Sequence, residues 1–386
     1  MNILFLASND GGNGVGGHYN SLNQVCNEVA KEHKTKILTF GSATSPVLAQ
    51  NKHFSGHIQA AKSLSGLFKV KNELKKVVKE FNPDIVHCFD SQSLNRILPV
   101  PSLFNVPVVF NKCGGKNPLK SNYQHADSIV VFSPENQDWF TENPHYNKED
   151  IFLIPNRVQK LEFIDESLRK EQKKQDKITF VRISRLGGAY EKTLLDTFNL
   201  VAKLSEKYPV ELIVIGRIQD RERFEKLVKA GEDKNVPVTY ITDDRAVKGS
   251  DFLYLADFVV GTGRSFMEAT SLGIPSLTPV QNADYPMLVN SRNFQNYLNT
   301  NFSERNIADD YSLSYNISNI EQLIESKEKY AQAKDETLTI FKDFFGTESI
   351  LPKYNAVYKY ALQNRKPRMS LITSNLQYLF KFILGK

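Results

Sequence analysis

The chain has 386 residues, 41% of them hydrophobic and 24% charged, and a net charge of +6 at neutral pH. That length suits two domains of about 150–200 residues better than one core, and that balance excludes a disordered or fibrous chain. The lysines and arginines are scattered, with no finger, RNP-type or basic-region pattern, so nucleic acid is not an expected partner; the three cysteines, Cys26, Cys88 and Cys113, form no C-x-x-C pair and point to neither a disulfide framework nor a zinc site.

The opening residues, Met-Asn-Ile-Leu-Phe-Leu-Ala-Ser, carry no basic leader and only a short apolar run, so they read as a first β-strand and not as a signal peptide. No later stretch approaches the ~20 apolar residues of a membrane span, and a cytoplasmic protein is expected. Short β-branched runs then alternate with amphipathic helical patterns. Strands are predicted at 2–8, 36–40, 85–89, 108–111, 128–132 and 151–154, then at 178–183, 211–215, 238–241, 258–260 and 276–278. Helices are predicted over 19–31, 70–81, 194–207 and 221–230. This alternation predicts an α/β fold with parallel sheets covered by helices on both faces. It breaks once, at the charged stretch 162–177, which reads as a solvated linker or exposed helix. The expected organisation is a Rossmann-like domain over 1–158, a second over 178–345, and a third piece over 346–386.

Sheets of this kind bind ligands beyond the carboxyl ends of their strands, so the loops there carry the functional expectation. The first strand runs into Asn9-Asp10-Gly11-Gly12-Asn13-Gly14-Val15-Gly16-Gly17-His18 just before a helix. Gly12, Gly14 and Gly17 match G-x-G-x-x-G, and glycines ahead of a helix N-terminus let the backbone approach a phosphate or sugar. The next strand ends Thr39-Phe40-Gly41-Ser42, without the acidic residue a dinucleotide site uses for its ribose, which argues against a dehydrogenase.

In the second half, the strand at 178–183 ends in Ser184-Arg185-Leu186-Gly187-Gly188, with Lys192 at the start of the following helix. An arginine fork and a lysine point charge at such a place form a candidate anion clamp. Arg217, after the strand at 211–215, reads equally as a second contact or a surface charge. The segment 260–275 reads strand, glycine turn, helix, glycine stop, strand. Gly261 and Gly263 suit a diphosphate at a helix N-terminus, and Glu268, about a turn into the helix, is placed to accept from ribose hydroxyls.

These residues resemble the retaining GT-B glycosyltransferases of family 4. The resemblance spans roughly 1–350 and rests on the glycine loop 11–17, Pro83-Asp84-Ile85-Val86-His87, Pro155-Asn156-Arg157-Val158, the segment 182–192 and, most specifically, 261–275, which is similar to the family's Glu-x7-Glu region. It implies two Rossmann-like domains facing across a cleft, with a C-terminal helix crossing back to the first. It implies that Arg185 and Lys192 grip the leaving nucleotide diphosphate, that Glu268 holds the ribose, and that Gly16 and Gly17 lie against the phosphates or the transferred sugar. The chain departs from the family at Val260, where the first glutamate would stand, at Asn111-Lys112-Cys113, where a histidine is frequent, and at Arg157 in place of glycine. Arg264 and Ser265 are the candidates to take over donor contacts.

Transfer from a nucleotide sugar builds negative charge on the departing diphosphate, so donors aimed there matter most. Arg185, Lys192 and the backbone at 261–263 suit that without a metal, and no Asp-x-Asp motif occurs. No cofactor beyond the nucleotide-sugar co-substrate is expected. On the acceptor side His87, Asp90 and Lys112 are the candidate catalytic residues, with His18 and Asp10 as further possible bases. The acceptor is expected to be a saccharide or lipid-linked hydroxyl, in surface polysaccharide or glycolipid assembly as the resemblance implies. The tail reads as a helix over 347–362, then Asn364-Arg365-Lys366-Pro367-Arg368 and a short aromatic-rich apolar helix. Residues 365–386 are therefore expected either to touch a membrane interface or to dock on the protein itself. Two other functions remain open on these residues: a GT-B-like nucleotide-sugar epimerase, and a catalytically silent homologue that binds nucleotide or a partner.

Overall fold

The computed structural model describes residues 1–11, 14–162, 173 and 176–384, so Gly12 and most of the linker expected over 162–177 lie outside the described residues. The chain divides into two units, one of Met1–Asn156 with Thr347–Lys386, the other of Arg157–Gly346.

In the first unit β1 (Asn2–Asn9), α1 (Gly17–Val29), β2 (Lys34–Gly41), β3 (Phe54–Gln59), α2 (Leu64–Phe81), β4 (Ile85–Cys88), α3 (Ser91–Ile97), β5 (Val108–Lys112), β6 (Ser128–Val131), α4 (Pro134–Glu142) and β7 (Ile151–Leu153) follow one another. The strands form one sheet in the order β3-β2-β1-β4-β5-β6-β7, every pair parallel. Helices cover both faces, which is why β1 reads Ile-Leu-Phe-Leu-Ala without polar alternation and is buried along its length. Leu4 and Leu6 pack into one core with Val86, Phe110 and Phe140. Ile3 and Phe5 point into the other, with Leu22, Val25 and Val29 of α1. β3 was not predicted. Its sequence, Phe-Ser-Gly-His-Ile-Gln, is a half-exposed edge with a central glycine and no apolar run.

In the second unit come β8 (Ile178–Ile183), α5 (Glu191–Ser205), β9 (Val210–Ile215), α6 (Arg221–Asp233), β10 (Val238–Ile241), β11 (Phe258–Val260), α7 (Arg264–Ser271), β12 (Ser276–Thr278), β13 (Met287–Leu288), α8 (Asp310–Glu325) and α9 (Lys327–Ile340). The sheet order is β10-β9-β8-β11-β12-β13, parallel except for the short antiparallel β13. Two residues are too few to give a sequence period, so β13 too went unpredicted. In each sheet the chain fills one side and then returns to fill the other, and the reversal falls at β1/β4 in the first unit and at β8/β11 in the second. Ligand crevices of doubly wound sheets form at such switch points.

The tail belongs to the first unit. α10 (Ile350–Gln363) carries Pro352 in its first turn and buries Ile350, Tyr354, Val357, Tyr358 and Ala361 in the core on the α1 side. α11 (Arg368–Ser374) and α12 (Leu376–Ile383) follow, with Leu371, Leu379 and Phe382 buried. In the basic run between α10 and α11, Arg368 and Lys366 are turned inward while Arg365 stays exposed. Arg368 donates to the carbonyls of Leu103 (2.7 Å) and Val106 (2.6 Å), Lys366 pairs with Asp150 at 2.6 Å, and Arg365 bonds the Phe104 carbonyl and Asn105. Among the described residues no helix is long and apolar enough to cross a membrane.

Candidate functional site

In the first unit the loops after β1, β4 and β5 surround a cavity of about 350 Å³, lined by His18, Phe89, Asp90, Ser91, Asn111, Lys112, Cys113, Lys116, Pro118 and Tyr123 among others. Asp90 sits at its base because it caps α3. One carboxylate oxygen accepts from the Ser93 amide and the other from the Ser8 amide, each at 2.7 Å. Burial pushes this carboxyl above the usual carboxylate range, against those two amides and the charges of His18 and Arg96. His18, one residue into α1, is shifted down by its own burial and pulled back up by the charge of Asp90. An imidazole sharing a cavity with a carboxylate is a combination that can accept a proton from a hydroxyl.

The remaining expected acceptor-side residues are held by structural partners. His87 is fully buried and does not line the cavity. Its Nδ1 meets the Tyr358 hydroxyl at 3.0 Å and its Nε2 meets Asn111 Oδ1 at 2.7 Å, fastening α10 to the sheet. Burial takes its pKa down to about 3, so the ring is neutral at pH 7. Lys112 reaches the cavity wall, but its ammonium donates to the carbonyls of Gly114 (2.8 Å), Gly115 (3.4 Å) and Lys116 (3.1 Å) and to Asn136 (3.0 Å). It folds the loop back on itself, with Gly114 and Gly115 both left-handed at φ 69° and 78°. Asp10 is locked in a two-point ion pair with the buried Arg96, at 2.6 and 3.0 Å. Arg96 also holds Ser8 and stacks over Phe382 of α12. The glycine loop has two kinds of glycine. Gly14 is left-handed (φ 67°), and a Cβ there would sit 2.7 Å from the Ser45 backbone, so the fold itself requires it. Gly16 and Gly17 are exposed, and among the described residues nothing lies within 4 Å of where a Cβ on Gly17 would be, which leaves space there for a ligand.

In the second unit Arg185 and Lys192 flank the loop after β8. Arg185 is exposed, its guanidinium 4.7 Å from the Tyr190 ring and hydrogen-bonded to the Tyr190 hydroxyl. Lys192 is tied to Asp196 at 2.7 Å and to the Ala283 carbonyl at 3.1 Å. Beside them, the turn between β11 and α7 is shaped by close approach. A Cβ on Gly261 would fall 2.6 Å from Cα of Phe266, and Gly263 is left-handed at φ 48°. Both amides are taken, by the carbonyls of Leu277 (2.9 Å) and Asn301 (3.2 Å), so these glycines set the shape of the turn more than they donate to an anion. Ser265 bonds back to Thr262, at 3.1 Å. Glu268 projects onto Arg264, Nε to Oε1 at 2.7 Å, one turn away on the same helix face. Burial raises the Glu268 carboxyl, and the Arg264 charge opposes that. Val260 packs in the core and is fully buried, so its side chain offers the loop no polar group.

Arg182 was not singled out from the sequence. It is fully buried on β8, its guanidinium bonded to the Val260 carbonyl and to Thr193 Oγ1, each at 3.0 Å, with Nε lacking a partner. It pins the loop strand to the turn strand. The legible signal is a lone arginine inside a largely apolar strand; Arg96, between Asn95 and Ile97 on the helix α3, carries no such strand signal. A second cavity, about 500 Å³, lies at the opposite, amino ends of β6 and β7 beneath the tail, where Asp150 is engaged by Lys366 and Tyr360.

No family model matches the chain. It is 27% identical over 314 residues to the UDP-N-acetylglucosamine–N-acetylmuramyl-(pentapeptide) pyrophosphoryl-undecaprenol N-acetylglucosamine transferase of Finegoldia magna, over 73% of this chain and 80% of that one. Among solved structures, a glycosyltransferase from Rickettsia africae superimposes with a TM-score of 0.69 at 14% identity, over 94% of this chain and 99% of that one. HepE from Anabaena, crystallised with UDP and glucose, gives 0.67 at 15% identity over 93% and 99%. The two Rossmann-like units are those of the GT-B fold. Taken with the curated relative, they place the chain with enzymes that transfer glycosyl groups.

Proposed function

We propose that the protein moves a sugar from a nucleotide-diphosphate sugar to an acceptor hydroxyl, the second unit holding the nucleotide and the first the acceptor. One observation carries the reading: each sheet reverses at a switch point, and the loops there bring cations and shaped glycines together in one unit and the His18–Asp90 cavity in the other. On the donor side Arg185 and Lys192 meet the diphosphate, and Arg264 with Glu268 present a paired edge to ribose or sugar. As the anomeric C–O bond breaks, both electrons leave with the diphosphate, and fixed cations stabilise that charge without reorganising. This reading keeps the expectation of a metal-independent site, so turnover should persist in chelator.

On the acceptor side His18 takes the hydroxyl proton while Asp90 steadies the imidazolium that forms. The acceptor is a saccharide or lipid-linked hydroxyl. Retention of anomeric configuration is kept from the resemblance and is read from the product by the anomeric proton coupling. An inverted product would refute retention and mean that the acceptor hydroxyl attacks opposite the departing diphosphate in a single displacement.

The test is a thermal-shift panel of nucleoside diphosphates and their sugars, with UDP first because the curated relative is named for a UDP-sugar. A ligand at a hundred times its Kd adds about 2.7 kcal/mol to the folded state. The expected result is stabilisation by one diphosphate that Arg185→Ala and Glu268→Ala both abolish. No shift with any nucleotide would sink the transferase reading and favour a silent homologue; interconversion of the donor sugar without transfer would favour an epimerase.

A further inference from the structure

The loop after β5 and the last helix meet on one surface of the first unit. In the loop, Leu119 is completely exposed and stands between Lys116 and Lys120. Leu376 and Phe380 in α12 and Leu384 at its C-cap recur every four residues, which sets them in one line. They are 46%, 58% and 66% exposed, while Leu379 and Phe382 on the other side are buried. Loop and helix are fastened together: the Tyr378 hydroxyl donates to the Asn122 carbonyl at 2.6 Å, and the Tyr378 and Tyr123 rings meet edge-on at 5.8 Å.

The loop and the tail themselves carry charge of one sign. Neither 113–126 nor 364–386 contains an aspartate or glutamate. Lys120 lies close enough to Lys381 for its charge to hold the Lys381 ammonium below the ordinary lysine range. Two copies of such a face would set lysine against lysine. Apolar side chains ringed by uncompensated ammonium groups instead match the boundary of an anionic bilayer, with the leucines and phenylalanine among the acyl chains and the lysines on the phosphates.

We infer that this surface, Leu119 with Lys116 and Lys120 on the loop and Leu376, Phe380, Lys381 and Leu384 on the last helix, docks the protein on an anionic lipid bilayer. The run Arg365-Lys366-Arg368, the more obvious basic stretch, is consumed by contacts within the unit and is not part of it. The same loop supplies Lys116 and Pro118 to the cavity that holds Asp90 and His18. An acceptor carried on a lipid therefore reaches the cavity along this loop; that last step rests on the proposed transfer, and the docking does not.

The test is flotation of the full chain with vesicles of phosphatidylcholine and phosphatidylglycerol in equal parts, beside vesicles of phosphatidylcholine alone. The protein should float with the anionic vesicles, stay behind with the neutral ones, and come off as salt screens the lysines. Lys120→Glu with Lys381→Glu should weaken partition about tenfold or more, from about 1 kcal/mol for each lysine at the surface. Leu119→Ser with Phe380→Ser should do the same, and both double variants should keep the wild-type thermal transition and nucleotide shift. Flotation of both variants like wild type would overturn the inference, as would failure of the wild type to float. So would a dimer that the serine variant dissolves while flotation is unchanged. Flotation intact with no nucleotide shift would defeat the transferase reading alone.

Discussion

His87 separates a catalytic from a structural role most cleanly. The resemblance to Pro-Asp-aliphatic-aliphatic-His makes it a candidate acid or base, whereas the structure buries it completely between β4 and α10. His87→Ala removes a ring packed against Phe89 (4.7 Å), Phe5 (5.2 Å) and Tyr354 (5.4 Å). It also strips a partner from the Tyr358 hydroxyl and from Asn111. Truncating a large core side chain costs about 2–5 kcal/mol, and leaving a buried polar group unsatisfied costs about 1–3 kcal/mol, so a loss on the order of 4 kcal/mol is expected. The pH dependence has a definite sign. The folded pKa of about 3 lies below the ordinary 6.5, so the unfolded chain binds the extra proton first and stability falls as pH falls below 6.5. Between that value and pH 5 the neutral ring gives up about 2 kcal/mol, at about 1.36 kcal/mol per pH unit. The variant should lack that increment. The chain's single tryptophan, Trp139, lies in the first unit against Phe140. Its fluorescence in urea, at pH 7.5 and at pH 5, therefore follows the unit in question. A variant that keeps the wild-type urea midpoint at both pH values but loses a hundredfold or more in turnover would refute the structural assignment.

Other expectations follow from the two glycine turns and the buried carboxylate. Gly17→Ala should leave stability unchanged or raise it by up to about 1 kcal/mol, because a Cβ there meets nothing and glycine is a poor helix residue; transfer should nevertheless fall sharply. Full activity in that variant would mean that no ligand approaches this backbone. Gly261→Ala should instead destabilise the second unit whether or not nucleotide is bound, since its Cβ would meet the Phe266 backbone at 2.6–2.7 Å; an unchanged melting transition would contradict the turn geometry. Glu268→Gln removes a carboxyl whose folded pKa is raised by burial. Wild type should therefore lose stability relative to the variant as pH rises from the ordinary 4.5 through the raised value, and parallel pH profiles would refute that burial.

Much of the architecture was legible because a parallel strand covered on both faces must be largely apolar, with any buried charge individually partnered. β1, β8 and β9 announce themselves in this way, and the helices between them do so by their period. β3 and β13 were not legible, one being a half-exposed edge with a glycine and the other two residues long. The glycine turn before α7 and the cations after β8 were legible by local grammar, since glycines before a helix and cations after a strand are short-range patterns. What those side chains touch was not. Glu268 turns to Arg264 within its own helix, and the amides of Gly261 and Gly263 are claimed by carbonyls at Leu277 and Asn301.

By itself the sequence determined that two α/β units alternate strand and helix, and that glycine-rich loops stand at strand ends, because hydrophobic period and turn chemistry are properties of neighbouring residues. Which histidine is free was decided only by tertiary packing. His87 is claimed by a tyrosine 271 residues further along the chain, and Asp10 by an arginine 86 residues away, while His18 and Asp90 are left in a shared cavity. Packing likewise turned Lys366 and Arg368 of the tail inward and left Leu376, Phe380 and Leu384 outward, because a charge is buried or exposed according to the partners the fold brings to it from elsewhere in the chain.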